Sequence, residues 1–190
     1  RQVTIEGVTH QLARPFLVLA TQNPIEYEGT YPLPEAQLDR FMLRVNIGYP
    51  TLQDEIRVME QQQIAHPIES LERVVAVEDL LAGQKEVRRV KVSAEIKNYI
   101  VRLVDATRRH GEVYLGSSPR GSLTLFRTGQ ARAAILGRDY VAPDDIKAMA
   151  MPALAHRLIL GPAARSREVD SREIIREILA AVPAPGGETS

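Results

Sequence analysis

The sequence predicts a mostly helical protein in which part of an α/β sheet domain precedes an all-α domain. Residues 16–20 are a continuous apolar or small run, which is typical of a strand covered on both faces, as in a parallel sheet. Gly-Tyr-Pro at 48–50 breaks the chain, and apolar residues then recur mainly at helical spacing to about residue 180. The predicted domains are residues 1–49, residues 50–182 and a disordered Pro/Gly-rich tail at 183–190.

Two short β-favouring runs open the chain. Gln2–Ile5 and Val8–Leu12 are separated by Glu6-Gly7, and a two-residue link that ends in glycine predicts a β-hairpin.

The strand predicted at 16–20 leads to Asn23, and Pro24 forces the chain to turn there. Ligands of open parallel sheets lie just outside the carboxyl ends of the strands. Asn23 is therefore placed where its amide could face a ligand. Such a strand needs partners on both edges, and the sequence contains too few strands to supply them. Either the rest of the sheet lies outside this chain or the strand prediction is wrong.

A Pro-rich loop then leads to a short helix that ends at Asp39-Arg40. From Phe41 to Ile47 apolar and polar residues alternate, which predicts a half-covered or edge strand. An arginine at the end of a helix is usually a solvated cation that complements the helix dipole. Arg40 considered alone therefore indicates no function.

Six helices are predicted beyond Pro50, each from a capping residue or from acids or a proline in its first turn. These signals stand at Thr51 with Asp54, at Glu78, at Ser93, at Pro119, at Pro143 and at Asp170 with Glu173. In the helix after Pro119, we expect Leu123, Phe126, Ala133 and Leu136 to form the buried face. Pro152 should kink or break the following helix.

Composition excludes several classes of function. Lys plus Arg and Asp plus Glu both number 24, so the formal net charge is zero, which argues against a general nucleic-acid or anionic-membrane binder. Without cysteine there is neither a disulfide framework nor a thiolate metal site, and the four histidines show no metal-ligand spacing. No apolar run approaches the ~20 residues of a membrane span, and no signal peptide is visible. A cytoplasmic protein is expected.

Three short motifs occur in a fixed order along the chain. They are Ala-Thr-Gln-Asn-Pro at 20–24, Leu-Asp-Arg-Phe at 38–41 and Ser-Ser-Pro-Arg-Gly-Ser at 117–122. In these motifs the chain closely resembles the MoxR family of AAA+ ATPases. The resemblance implies that Asn23 is sensor 1, that Arg40 is the arginine finger offered to a neighbouring subunit, and that Arg120 is sensor 2 in the helical lid of a P-loop ATPase.

The same resemblance implies cofactors and partners. Family members use ATP and Mg²⁺ and form homo-oligomeric rings that are usually hexamers. They are thought to act with proteins that carry von Willebrand factor A domains, in chaperone-like maturation or metal insertion. Such a ring ATPase would couple hydrolysis to the remodelling of partner proteins. If Asn23 and Arg120 touched one nucleotide, its phosphate state would set the lid angle through a hinge near Tyr49-Pro50.

The P-loop and the acidic magnesium site that an ATPase of this kind needs are missing from these residues. A P-loop needs a glycine-rich cradle with its lysine, and no Gly-Lys dipeptide occurs in the sequence. By the resemblance, the cradle and the acidic magnesium site would lie upstream of Arg1. The chain by itself should therefore not hydrolyse ATP, although it would belong to an enzyme.

Arg120 gives an argument that is independent of the family. It lies in the first turn of its helix, where a cation opposes the helix dipole at a cost of a few tenths of a kcal/mol. A bound phosphate would offset this cost, whereas the ordinary alternative is that Arg120 pairs with a nearby carboxylate.

Two other functions compete with the ring ATPase. The first is a non-catalytic helical interaction module in which the sensor residues are relics. The second is a helical nucleic-acid binder that uses the basic runs at 88–91 and 108–110, although zero net charge and few aromatic residues favour solvated helix ends there.

Overall fold

A computed structural model describes residues 2–22 and 33–186. Its contacts divide the chain into two compact units, Arg1–Ala20 with Asn46–Gln84 and Thr21–Val45 with Lys85–Ser190. The helices are α1 Glu35–Leu38, α2 Leu52–Gln62, α3 Val77–Val87, α4 Ala94–Arg109, α5 Pro119–Ile135, α6 Pro143–Leu154, α7 Pro162–Ser166 and α8 Ser171–Ala181. The strands are β1 Gln2–Ile5, β2 Val8–Gln11, β3 Val113–Leu115 and β4 Ile159–Leu160. Short 3₁₀ turns lie at Pro67–Ser70 and Ala155–Arg157.

The first unit contains the predicted hairpin. β1 and β2 pair antiparallel, with Ile5 opposite Val8. Glu6 and Gly7 both have positive φ angles, of 50° and 81°, as a tight two-residue hairpin turn requires. The helix predicted after Thr51 is also confirmed, because the Thr51 side chain accepts a hydrogen bond of 3.2 Å from the Asp54 N–H.

The two longer strands predicted from the sequence are wrong. Residues 16–20 form no strand, and Leu19 is 86% exposed. A covered strand requires neighbours that share its backbone hydrogen bonds, and the sheets of the described residues are two separate two-stranded pairs. Residues 41–47 are not a strand either. In this stretch the Arg44 N–H donates instead to the Pro152 carbonyl, at 2.9 Å, and Leu43 packs against the helical core.

The second unit has a mainly helical core and also contains the short antiparallel pair β3–β4, so the mostly helical fold class is confirmed. Helix α4 begins where Ser93 accepts a hydrogen bond of 3.3 Å from the Ile96 N–H. The sequence places Ile96, Tyr99, Ile100, Leu103 and Val104 at helical spacing, and all five are buried, together with Thr107. Helices α5, α6 and α8 complete this core, and the three isoleucines of α8 are buried against it.

Helix α5 buries only part of the predicted face: Ala133 is fully buried and Phe126 is partly buried against the core. Leu123 and Leu136 are 56% and 54% exposed, whereas Leu125 is fully buried. The reason is close packing by small residues. A Cβ on Gly129 would lie only 2.6 Å from Ile146 Cδ1 on α6, so the two helices approach through the glycine. Apolar periodicity cannot reveal a face that is built on glycine and threonine.

Helix α6 continues through Pro152 for two residues and then passes into the 3₁₀ turn at Ala155–Arg157. The predicted break is thus a change of helix type shortly after the proline. The predicted domain boundary at Tyr49-Pro50 stays a prediction. In the predicted tail, Ala184 packs against the core, and residues 187–190 lie outside the described residues.

A buried ion pair joins the end of α5 to the start of α6. Asp145 is 1% exposed and accepts two hydrogen bonds from Arg138, at 2.6 and 2.8 Å. It also accepts from the Ala142 N–H at 2.8 Å, which caps α6. Burial alone would raise the pKa of Asp145, but these bonds and the charges of Arg138 and Arg132 lower it below its ordinary value.

Candidate functional site

The Leu-Asp-Arg-Phe motif forms the turn that follows α1. Helix α1 ends at Leu38, and residues 39–42 are neither helix nor strand. This turn lies beside the N-terminal half of α5 and the 3₁₀ turn after α6, where a cavity of about 390 Å³ opens. The residues that line the cavity are Asp39, Arg40, Met42, Arg120, Leu123, Thr124, Arg127 and Arg157.

The structure brings two of the three predicted site residues together. Arg40 and Arg120 line the same cavity, although 80 positions separate them in the sequence (120 − 40). Arg120 lies in the first turn of α5, where its N–H donates to the Ser118 hydroxyl at 3.3 Å. Asn23 lies outside the described residues, so its predicted role stays a prediction.

Among the residues that the structure describes, Asp39 is the one carboxylate that lines this cavity. It lies 3.2 Å from Arg157 Nε and 3.8 Å from Arg120 Nη1. The Ser118 hydroxyl donates weakly to it, at 3.4 Å. Because Arg120 is 55% exposed and only loosely paired, this contact leaves its guanidinium free to rotate toward a stronger anion.

Arg157 was missed in the sequence. It follows α6 in the 3₁₀ turn, is 7% exposed, and directs its guanidinium at the backbone of the Leu-Asp-Arg-Phe turn. A single arginine in a mainly apolar stretch matches no known motif. Its role becomes visible only when the structure shows which distant segment it contacts. Burial lowers the pKa of Arg157, and the Asp39 carboxylate opposes that shift.

The charge of the cavity suits an anion. Four guanidinium groups line it, from Arg40, Arg120, Arg127 and Arg157, against the single Asp39 carboxylate. Guanidinium forks match the spread oxygens of phosphate groups. The same residues do not suit Mg²⁺, which needs several oxygen ligands. The lining of the cavity therefore suits an anion such as phosphate and not a divalent metal ion.

The basic runs considered for nucleic acid have partners within the chain. Arg89 pairs with Glu86 at 3.0 Å, and Arg109 pairs with Asp105 at 2.8 Å. Lys91 lies 3.1 Å from Asp139. These exposed pairs account for the runs as ordinary helix-end charges.

Comparisons with known proteins agree with this geometry. The family model described as "ATPase family associated with various cellular activities (AAA)" matches residues 1–43, and the "AAA lid domain" model matches residues 105–178. Chaperone MoxR1 of Mycobacterium tuberculosis is 37% identical over 97% of this chain and 51% of its own length. YeaC of Bacillus subtilis is 51% identical over 96% of this chain and 57% of its own length.

The chain belongs to the MoxR family of AAA+ ATPases. A solved structure of a provisionally assigned ATPase from Cytophaga hutchinsonii superposes with a TM-score of 0.89 and 40% identity, over 96% of this chain and 58% of that one. The MoxR-family chain thus spans a little over half the length of the relatives it matches. Binding of nucleotide and Mg²⁺ is general to this family. No helix among residues 2–22 and 33–186 is long and apolar enough to cross a membrane.

A histidine of this MoxR-family chain adjoins the arginine cavity. His156 Nε2 lies 3.2 Å from the Phe41 carbonyl and 2.8 Å from Arg157 Nη1, which is a donor. A neutral imidazole can accept from that donor, whereas a protonated one cannot. Burial, followed by the charge of Arg157, lowers the pKa of His156. The contact with the Phe41 carbonyl opposes this shift, and the smaller effects of Arg44 and Asp39 have opposite signs.

Acidification should therefore destabilise the unit that contains His156. The folded pKa lies below the unfolded value of about 6.5, so the unfolded state binds more protons. The stability contribution is complete above that value and is lost as the pH falls below it and through the folded pKa. We expect the free energy of unfolding to decline as the pH falls below about 6.5, with a smaller decline in H156Q. Urea titrations at a series of pH values measure this decline, and an H156Q variant that declines as steeply as the wild type would contradict the assignment.

Proposed function

We propose that this chain is part of a ring-forming ATPase in which Arg40 and Arg120 act together on an ATP molecule whose phosphates are held by a neighbouring subunit. Hydrolysis would drive chaperone-like remodelling of partner proteins. The observation that carries the proposal is that both arginines line one cavity with a strong excess of positive charge. Each is exposed toward that cavity, so an adjacent subunit can reach both.

The chemistry of phosphoryl transfer supports these roles. Negative charge is spread over the oxygens of the transferred group in the transition state, and a planar guanidinium can contact two oxygens at once. An arginine supplied by a neighbouring subunit raises the rate by about 10³–10⁵-fold in such reactions. Arg120 stands at the positive end of α5, and bound phosphate oxygens would offset both the dipole and the crowding by Arg40, Arg127 and Arg157.

Arg120 could act on the nucleotide of its own subunit or on that of the next subunit, and its shared cavity with Arg40 favours the second role. The sequence suggested that Arg120 and Asn23 act on the nucleotide of their own subunit. The shared cavity instead supports the use of Arg120 with Arg40, on the nucleotide of the next subunit. Asn23 would then position the attacking water at its own subunit's nucleotide.

Subunit mixing distinguishes these arrangements in the full-length ATPase that carries this chain. Rings assembled from R40A and R120A subunits should stay as inactive as either variant alone, because no subunit then presents both arginines to its neighbour. If Arg120 instead served its own subunit, an R40A subunit beside an R120A subunit would form a complete site. Recovered ATPase activity in the mixture would therefore refute the joint role.

Other parts of the proposal come from the family resemblance. They are a hexameric ring, partners with von Willebrand factor A domains, and a nucleotide cradle and Mg²⁺ site outside these 190 residues. A cytoplasmic location also stays a prediction. The name of the relative Chaperone MoxR1 supports the chaperone-like role.

A further inference from the structure

Arg157 has an unusual place for an arginine. Its side chain is 2% exposed, and a buried guanidinium needs acceptors for its N–H groups because their desolvation is otherwise costly. It stands in the 3₁₀ turn that begins as α6 ends. In that position it faces a different segment of the chain, the turn at residues 39–42.

The acceptors of Arg157 lie on both sides of Arg40. Nη2 donates to the Asp39 carbonyl at 3.2 Å and to the Phe41 carbonyl at 2.8 Å. Nη1 donates to the Met42 carbonyl at 3.3 Å. Nε approaches the Asp39 carboxylate at 3.2 Å as an ion pair without an aligned hydrogen bond. Arg157 therefore holds the backbone immediately before and immediately after Arg40.

The turn has other contacts, but no single one of them reaches both sides of Arg40. The Arg40 N–H donates to the Gln37 carbonyl at 3.1 Å. From the helical unit, the Ser118 hydroxyl approaches Asp39 at 3.4 Å and His156 Nε2 approaches the Phe41 carbonyl at 3.2 Å. Residues 39–42 belong to no helix or strand, and α1 has only four residues, far too few to be stable by itself. Two further bonds anchor Arg157 to the helical unit, one to the Thr124 hydroxyl on α5 at 3.3 Å and one to the Ala153 carbonyl on α6. Arg157 thus connects the turn to the same helices that carry Arg120.

We propose that Arg157 is a positioning residue for the shared ATP site, and that it sets the place of Arg40 relative to Arg120 without contacting the nucleotide itself. The proposal rests on the proposed role of Arg40. Its consequence is that Arg40 and Arg120 move as one body with the helical unit. Any displacement of that unit therefore moves both guanidinium groups together, toward or away from the nucleotide of the neighbouring subunit.

Lysine cannot replace Arg157 in this role. An ammonium group is a single point with three donors, whereas the guanidinium fork reaches the three carbonyls from two nitrogens at fixed geometry. R157K keeps the positive charge but should release the turn. A displacement of a catalytic group by about 1 Å can lower the rate by about 10²-fold, so we expect a fall in kcat of that size for the full-length ATPase.

Subunit mixing identifies which site Arg157 serves. A cradle-dead subunit, which cannot bind ATP but keeps its arginines, should restore activity to R157K rings, because it presents a correctly placed Arg40. An R40A subunit should not restore activity, because neither variant then presents a correctly placed Arg40 side chain to its neighbour. Recovery with R40A, or full activity of R157K alone, would overturn the proposal. So would an R157K subunit that enters rings but is not rescued by the cradle-dead subunit.

Two controls distinguish a failure of this proposal from a failure of the proposed function or a general loss of stability. If R40A with cradle-dead subunits regains no activity, the proposed function fails, whatever R157K does. The variant R138K disturbs another buried ion pair of the same unit and should keep its ATPase activity at temperatures where it is folded.

Hydrogen exchange gives a readout that does not depend on ring assembly. Amide protection at residues 40 and 41 should fall by about tenfold or more in R157K and stay unchanged in R138K. Unchanged protection in folded R157K would also overturn the proposal.

Discussion

Replacing Arg40 by alanine is expected to lower kcat for ATP hydrolysis by about 10³-fold or more in the full-length ATPase that carries this chain. The change removes a guanidinium that meets charge developing in the transition state, which is worth about 4 kcal/mol or more. Binding of ATP in the ground state should change much less, because that charge is not yet developed. Steady-state hydrolysis and nucleotide titration measure the two effects separately.

Two control experiments are needed to interpret the result for R40A. R44A removes an arginine four positions further along the same segment, outside the set of residues that line the cavity, and should keep nearly full activity. Mixing R40A with cradle-dead subunits should restore activity, because each variant supplies what the other lacks. If the mixture stays inactive although mixed rings form, Arg40 does not act on a neighbour's nucleotide. Equal losses in R40A and R44A would point to general disruption of the segment.

Replacing Asp145 by alanine should lower the free energy of unfolding of the helical unit by about 3 kcal/mol. The change leaves the Arg138 guanidinium without its carboxylate partner and removes the acceptor that caps α6 at Ala142. An unpaired charge at a partly buried site accounts for most of the loss. Urea denaturation followed by circular dichroism measures it.

An exposed ion pair provides the matched control. Asp105 pairs with Arg109 at 2.8 Å, but both side chains are largely accessible to water, so D105A should cost about 1 kcal/mol or less. The pKa of Asp145 is lowered in the folded state, so its contribution is present above the unfolded value of about 3.9 and is lost as the pH falls through the folded one. Equal losses in D145A and D105A at neutral pH would contradict the structural role assigned to the buried pair.

Local signals in the sequence were sufficient for most of the helices. Thr51, Ser93 and Asp170 each accept a hydrogen bond at the helix N-terminus where they were expected. The hairpin turn was predicted in the same way from the link Glu6-Gly7, and the positive φ angles of both residues confirm it. These features depend on neighbours only a few residues away, so the sequence contains all the information they need.

The sheet structure and the buried faces of the helices were harder to predict from the sequence. The apolar run at 16–20 has the composition of a covered strand, but a strand exists only when other strands pair with it. The buried face of α5 depends on Gly129 and its close approach to Ile146, a property of two helices together. In both cases the deciding partner lies far away in the chain or is absent from the described residues.

The sequence by itself determined the family, the starts of most helices and the identity of Arg40 and Arg120 as candidate site residues, because short motifs and capping signals are local. Only the tertiary structure decided that these two arginines share one cavity, and that Arg157 holds the turn between Asp39 and Met42. The physical reason is that a buried guanidinium is defined by its acceptors, and those acceptors come from a segment more than a hundred residues away.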